Sequence, residues 1–346
     1  MLFHYQDHKR THERLMPKLK YRLKESWIIA ILFSRRWTAD RKQLTLLLNV
    51  FEKSSMEEIA ESFALQRRCR AAVGAQSIAI VSSVRASTAR KLLTLPLAIL
   101  FTLLPYRAVI ALAAVLARLK GPRDSIGVFC DSHLSGFLMV HALRRIGVRN
   151  WSLQHGLYRA DDLGSEMAFA NQCSDQLFIW DEPTEAVFRR MDKAGAVRRV
   201  GQYKYAIDNI DQDRPRAGCL IGLCPPYDET KLAIFTAIER ELTPKYDVIY
   251  SLHPSLRHLV GQSKVAQVAA WPEKPVAVIS GDSGVILDCL ARNIPVITIS
   301  DRKLASTGRS YEQLRNGDED WPALIRDATR ALEADRLRFG FLEPMR

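Results

Sequence analysis

Ser125-Ile126-Gly127-Val128-Phe129-Cys130 is a short uncharged run. Asn150-Trp151-Ser152-Leu153-Gln154 is a second, and the stretch between them, 136–146, is helical in pattern with Arg144 and Arg145 in its last turn. Cations there suit the negative end of the helix dipole. A buried strand, a helix and a second strand make a βαβ unit, whose strands run parallel because the connection is a crossover. The rhythm continues outward from this unit. Strands are expected at 176–180 and 198–200. After a polar, aperiodic linker at 206–217 they recur at 219–223, 247–252, 276–280 and 295–300, with helices at 229–242, 284–292 and 321–334. Two doubly wound α/β units follow from this pattern: an N-terminal one over 1–205 and a C-terminal one over 218–346. Ligands of such sheets bind at the carboxyl ends of the strands.

The N-terminal third is less regular. The first 24 residues are basic and helical in pattern, residues 27–33 read as a strand, 41–51 and 56–70 as helices, and 77–81 as a strand. His4, His8 and His12 share one helical face; with no partner carboxylates in the pattern, they read as a solvated polar face. Residues 92–117 are apolar but broken by Pro96, Pro105 and Arg107, and flanked by Arg90, Lys91, Arg118 and Lys120. A clean membrane span is excluded by those breaks. A segment lying in a membrane interface and a pair of buried helices both fit.

The 346 residues suit two domains, and 47% apolar with 25% charged residues excludes disorder. Six cysteines, without CxxC or Cys/His metal spacing, point to a reducing, cytoplasmic setting. Residues 1–10 have no apolar core or cleavage site, so no signal peptide is expected. The formal charge of +12 is uneven: residues 1–120 carry 21 basic and 8 acidic side chains, and the remainder 29 and 30. Such a basic third suits an anionic membrane surface or nucleic acid. No RNP pattern, zinc-finger spacing or helix-turn-helix supports nucleic acid.

Three strand-end clusters carry chemistry. Gln154-His155-Gly156 ends a strand, so His155 is a candidate general base, and Tyr158, Arg159, Asp161 and Asp162 follow in the same loop. His253-Pro254 ends another strand; Pro254 stops it abruptly, which exposes an imidazole able to serve a phosphate, with Arg257 and His258 adding positive charge. Ser280-Gly281-Asp282-Ser283-Gly284 joins a strand to a helix. Its small residues leave backbone N–H groups free for an anion, while Asp282 suits a helix cap or a sugar hydroxyl. Neither GxxxxGK[ST] nor GxGxxG is present.

The order of these clusters, followed by Leu287-Asp288-Cys289-Leu290-Ala291-Arg292-Asn293-Ile294-Pro295-Val296-Ile297, resembles bacterial glycosyltransferases of the GT-B fold. The nearest in pattern are capsule and lipopolysaccharide enzymes using CMP-linked Kdo or sialic acid, and the CDP-glycerol glycerophosphotransferases. The resemblance covers residues 125–335. It implies an inverting, metal-independent transferase of bacterial surface-polysaccharide synthesis, working on the inner face of the cytoplasmic membrane. A nucleotide-sugar would be its substrate rather than a bound cofactor, and a glycan or lipid-linked glycan its acceptor. His155 would act on the acceptor, His253 on the donor phosphate, and Ser283, with Ser280, Gly281, Asp282, Gly284 and Arg257, at the donor site. The acid pair followed by glycine of the sialyltransferases is interrupted here, as Asp161-Asp162-Leu163-Gly164, so the base is His155 or one of these carboxylates. Alternatives are a non-hydrolysing nucleotide-sugar 2-epimerase, suggested by Asp282-Ser283-Gly284, a basic nucleic-acid-binding protein, and an inactive GT-B scaffold.

Overall fold

The runs that frame residues 125–154 are adjacent parallel strands. β3 (Ser125–Phe129) and β4 (Arg149–Leu153) pair in a register that sets Gly127 opposite Trp151, with α4 (Leu134–Arg145) as their crossover. In this computed structural model the described residues are 15–35, 37, 44–49, 72–73, 77–82, 86–121, 124–129, 131, 133–154, 172–190, 196–202, 218–226, 229–252, 273–281, 284–301, 304–315 and 319–341. The helices before α4 are α1 (Leu15–Ser34), α2 (Thr88–Leu103) and α3 (Tyr106–Leu119). The expected linker at 206–217 lies outside the described residues, as do 56–70 and the histidines 4, 8 and 12.

The chain divides into two compact units, Met1–Lys204 and Tyr205–Arg346. The first holds a six-stranded, all-parallel sheet. Its other strands are β1 (Leu44–Asn49), β2 (Ser77–Ser82), β5 (Gln176–Ile179) and β6 (Val197–Arg199), and the order is β2-β1-β3-β4-β5-β6. α5 (Glu182–Arg190) links β5 to β6. The basic third is therefore no appendage, because it supplies two strands of this sheet.

Two readings of that third are corrected. Residues 27–33 belong to helix α1 rather than a strand, with Ile28 to Phe33 buried on every side. A helix apolar all round lacks the 3.6-residue alternation that marks a half-buried helix. Residues 44–49, within the expected helix 41–51, form β1, which sits between β2 and β3 with Leu47 and Leu48 fully buried. Leucine favours helices weakly, and pairing on both edges outweighs that preference. Residues 92–117 form α2 and α3, separated at Pro105, the N-cap of α3. Among the described residues no helix is long and apolar enough to cross a membrane.

The second unit holds a five-stranded parallel sheet, ordered β11-β10-β9-β7-β8. Its elements are β7 (Leu220–Cys224), α6 (Glu229–Leu242), β8 (Asp247–Tyr250), β9 (Ala277–Ser280), α7 (Val285–Ala291), β10 (Val296–Ile299), β11 (Gly308–Arg309), α8 (Tyr311–Arg315) and α9 (Trp321–Arg338). Ile221, Leu223, Ala277, Ile279, Ile297 and Ile299 form one core with Phe235 and Ile238 of α6 and Leu324 of α9. These strand residues alternate, as one sheet face requires. The fold class is α/β with two Rossmann-like parallel sheets.

Gly127 shows how tightly the first sheet is packed. A Cβ at this position would stand 2.5 Å from ring carbons of Trp151, which is buried and tilted against Phe178 with ring centroids 5.4 Å apart. Gly127→Ala is expected to lower unfolding free energy by about 1–3 kcal/mol, the usual cost of overpacking. Urea denaturation measures it, and an unchanged midpoint would mean that the indole has room to move.

Candidate active site

Each sheet has one place where successive connections leave in opposite directions, and ligands of open α/β sheets bind there. In the second sheet that place lies between β7 and β9, because the chain passes from β7 to β8 on one side and then returns to build β9, β10 and β11 on the other. The carboxyl ends meeting there are Cys224-Pro225-Pro226 and Ser280-Gly281. The predicted Ser-Gly cluster thus begins at the switch point of its sheet.

Two contacts hold this turn. Gly281 N donates to Cys224 O at 2.9 Å, and the fully buried Ser280 hydroxyl donates to Gly281 O at 3.1 Å. Ser280 is spent on backbone and shapes the turn rather than facing a ligand. Gly281 is obligatory on steric grounds, since a Cβ would stand 2.3 Å from Cδ of Pro226. Gly284, the N-cap of α7, differs: a Cβ there meets nothing within 4 Å, so no clash requires glycine at this position. Asp282 and Ser283 lie outside the described residues. Burial pushes the thiols of Cys224 and Cys289 well up, so both stay protonated and unreactive.

The ends of β10 and β11 add polar groups to the same edge, and the sequence reading gave neither a role. A pocket of about 230 Å³ opens beyond β10, lined by Ser300 and Asp301 after that strand and by Arg309, Ser310 and Gln313 around β11 and α8. Arg309 is held by Glu319 at 2.8 Å. Gly308 lets β11 approach, because a Cβ would stand 2.5 Å from Oγ1 of Thr298. The sequence signal was the polar pair Ser300-Asp301 after an apolar run. β8 ends at Tyr250, and Ser251 N still donates to Leu223 O at 2.9 Å. His253 and Arg257, just beyond, lie outside the described residues.

In the first sheet the reversal falls between β1 and β3, where Asn49 pairs with Phe129. Buried polar groups tie down this carboxyl edge. Asp131 accepts from Cys173 N and Ser174 N at 3.0 and 2.7 Å. Gln154, the first residue of the Gln-His-Gly motif, is fully buried; its side-chain carbonyl accepts from Trp180 N at 2.7 Å and its amide donates to Thr184 Oγ1 at 3.1 Å. Thr184 N in turn donates to Asp181 Oδ1 at 2.8 Å. The glutamine therefore anchors β4 to the start of α5, and the next residue in the chain is His155. His155, Asp161 and Asp162 lie outside the described residues. Among the described residues, no group of three or more His, Cys, Asp or Glu is placed to hold a metal ion.

Neither a protein-family model nor a curated protein matches the chain. Solved structures do. A glycosyltransferase from Rickettsia africae ESF-5 is 10% identical, with 87% of this chain and 95% of that one covered and a TM-score of 0.50. Os79 from O. sativa, in complex with UDP, is 11% identical over 84% and 95% of the two chains at a TM-score of 0.47. A UDP-GlcNAc 2-epimerase from Neisseria meningitidis, bound to UDP-GlcNAc, is 12% identical over 86% and 93% at 0.46. The Rickettsia likeness, at that identity, is one of fold, and it agrees with the two parallel sheets.

The two glycines differ in what a side chain would meet. Gly281→Ala should destabilise the protein by about 1–3 kcal/mol through its clash with Pro226. Gly284→Ala should leave thermal stability unchanged or raise it by up to about 1 kcal/mol, because the unfolded chain loses freedom. Calorimetric unfolding of both variants checks this, and equal destabilisation would contradict the assignment.

Proposed function

We propose that the protein is an inverting, metal-independent glycosyltransferase. It moves a sugar from a nucleotide-sugar, CMP- or CDP-linked by preference, to an oligosaccharide or lipid-linked glycan in bacterial capsule or lipopolysaccharide synthesis. The carrying observation is the coincidence of Ser280-Gly281 with the switch point of the second sheet. A motif chosen from residue types alone begins where the topology leaves strand ends open to a ligand. The likeness in fold to the Rickettsia glycosyltransferase supports the same reading.

In this scheme the donor's phosphates lie against the turn 281–284, with His253 and Arg257 supplying positive charge and the Ser300-Asp301 and Arg309 edge beside them. His155, or Asp161 or Asp162 in its place, takes the proton from the acceptor hydroxyl as the oxygen attacks the anomeric carbon. The bond from that carbon to the phosphate oxygen breaks, and the leaving phosphate gathers negative charge. His253 donates to it where that charge develops, which lowers the barrier more than it tightens the ground state. No metal is needed when imidazole, guanidinium and backbone N–H groups share this task. A lipid-linked acceptor would place the reaction at the inner face of the cytoplasmic membrane.

Asp282-Ser283-Gly284 also favours a second reading, a nucleotide-sugar 2-epimerase. Incubation with nucleotide-sugar alone discriminates: the transferase reading expects no interconversion of the sugar without acceptor.

The roles divide in kinetics. His253→Ala is expected to lower kcat/KM by about 2–4 kcal/mol of transition-state stabilisation. His155→Ala should lower kcat by about 100- to 10,000-fold and leave nucleotide affinity intact. Thermal-shift titration with CMP, CDP, UDP and GDP supplies the binding half of the experiment, since a ligand of the native state raises its melting temperature. Lost nucleotide binding in His155→Ala would remove it from the acceptor side. Retained activity there, with dead Asp161→Asn or Asp162→Asn variants, would assign the base to a carboxylate.

A further inference from the structure

The consecutive helices α2 and α3 turn most of their leucines outward. On α2 the face packed against the protein carries Thr94, Ala98, Phe101 and Thr102, all buried. The two threonines satisfy their hydroxyls within the helix, Thr102 Oγ1 donating to Ala98 O at 2.7 Å and Thr94 Oγ1 to Arg90 O at 3.0 Å. The opposite face carries Leu92, Leu93, Ile99, Leu100 and Leu103, with Leu93 81% and Leu103 74% exposed. At about 100° per residue these positions fall on one side of the helix and form one stripe along it. α3 repeats the arrangement: Val109, Ala113, Ala114 and Ala117 face inward, while Val115 and Leu119 are exposed, Leu119 at 77%. In water alone, leucine would belong inside and threonine outside. An exposed apolar stripe of this kind along α2 marks a surface that meets something other than water.

Charge identifies what it meets. Residues 86–121 contain Arg90, Lys91, Arg107, Arg118 and Lys120 and not one acid. Lys91, Arg107 and Arg118 are exposed. The acid of neighbouring α1, Glu25, is buried and accepts from Ser135 N and Oγ at 3.0 and 2.7 Å, so it does not offset this positive charge at the surface. Two copies mating through this stripe would bring like cationic rims together, since a two-fold interface apposes the same patch. An anionic bilayer satisfies both features, with acyl chains for leucine and phosphates for lysine and arginine.

Contacts with α1 and the residue after it brace both helices. The Arg22 guanidinium donates to Leu104 O at the corner and lies 4.7 Å from the centre of the Tyr106 ring. Trp27 Nε1 donates to Lys91 O and Thr94 Oγ1, each at 3.1 Å, and Lys120 Nζ to Arg35 O at 2.9 Å. Neither helix is long and apolar enough to span a bilayer. We propose that the exposed face of α2, with the cations of α2 and α3 around it, is a membrane-docking surface that lies in the interface of an anionic bilayer, with Leu92, Leu93 and Leu103 as its wedge. This holds whatever reaction the protein catalyses.

Vesicle flotation of the full chain tests it, with phosphatidylglycerol/phosphatidylethanolamine vesicles against pure phosphatidylcholine at low and high salt. Flotation with the anionic vesicles, partly resistant to salt, is expected. The Leu93→Asp/Leu103→Asp protein should bind them about tenfold more weakly, and Arg107→Glu/Arg118→Glu should lose chiefly the salt-sensitive part. All these side chains are exposed, and thermal melts check that the variants remain folded. No flotation of the wild type, or equal flotation of the leucine variant, overturns the proposal. So does a wild-type dimer that the leucine variant dissociates, which would make the stripe an interface between copies.

Discussion

The hydrogen bond from Gly281 N to Cys224 O joins the two strands at which the second sheet reverses its winding. Strands on the two sides of a reversal send their connections apart, so neither covers the carboxyl ends between them. Here the opening is bounded by Pro225-Pro226 on one strand and Ser280-Gly281 on the other. Pro226 leaves no room for a side chain at 281, and Pro226 itself has no N–H to offer. The turn is therefore fixed by exclusion on one side and by the buried Ser280 hydroxyl on the other. Beyond the turn, at Gly284, a side chain would meet only open space.

The first unit solves a similar problem with polar side chains. Asp131 and Gln154 are buried acceptors at neighbouring strand ends, each consuming backbone N–H groups that loops would otherwise leave orphaned. Gln154 matters most, because its amide fixes the chain immediately before His155. In the role proposed for His155, an imidazole would benefit from a rigid predecessor, and Gln154 supplies one. Glu25 performs the corresponding task at the start of α4, where it ties α1 to that helix.

What could be read from the residues was the alternation of short apolar strands with helices. Residues 229–242 form the helix α6 with those bounds, and β3, β4, β7, β9 and β10 lie within a residue or two of their expected positions. Strand ends follow from polar residues that interrupt an apolar run, so the Ser-Gly cluster was legible as well. The errors share one cause. Ile28 to Phe33 in α1, and Leu47 and Leu48 in β1, are buried whichever way they point, and full burial erases the periodicity that separates helix from strand. β11 has two residues, Gly308 and Arg309, too few to carry any period, and the pocket beside it went unread with it. In α2 and α3 the broken apolar segment was legible but its buried face was not, since hydropathy does not say which face the protein covers.

Hydrogen–deuterium exchange with and without a nucleotide such as CMP or CDP tests the central claim most directly, namely that the donor sits at the reversal of the second sheet. Bound ligand should slow exchange in peptides covering 224–228 and 280–287, with little change over β3 and α4 in the first unit. Protection confined to the first unit, or to the far ends of β7 and β9, would contradict it.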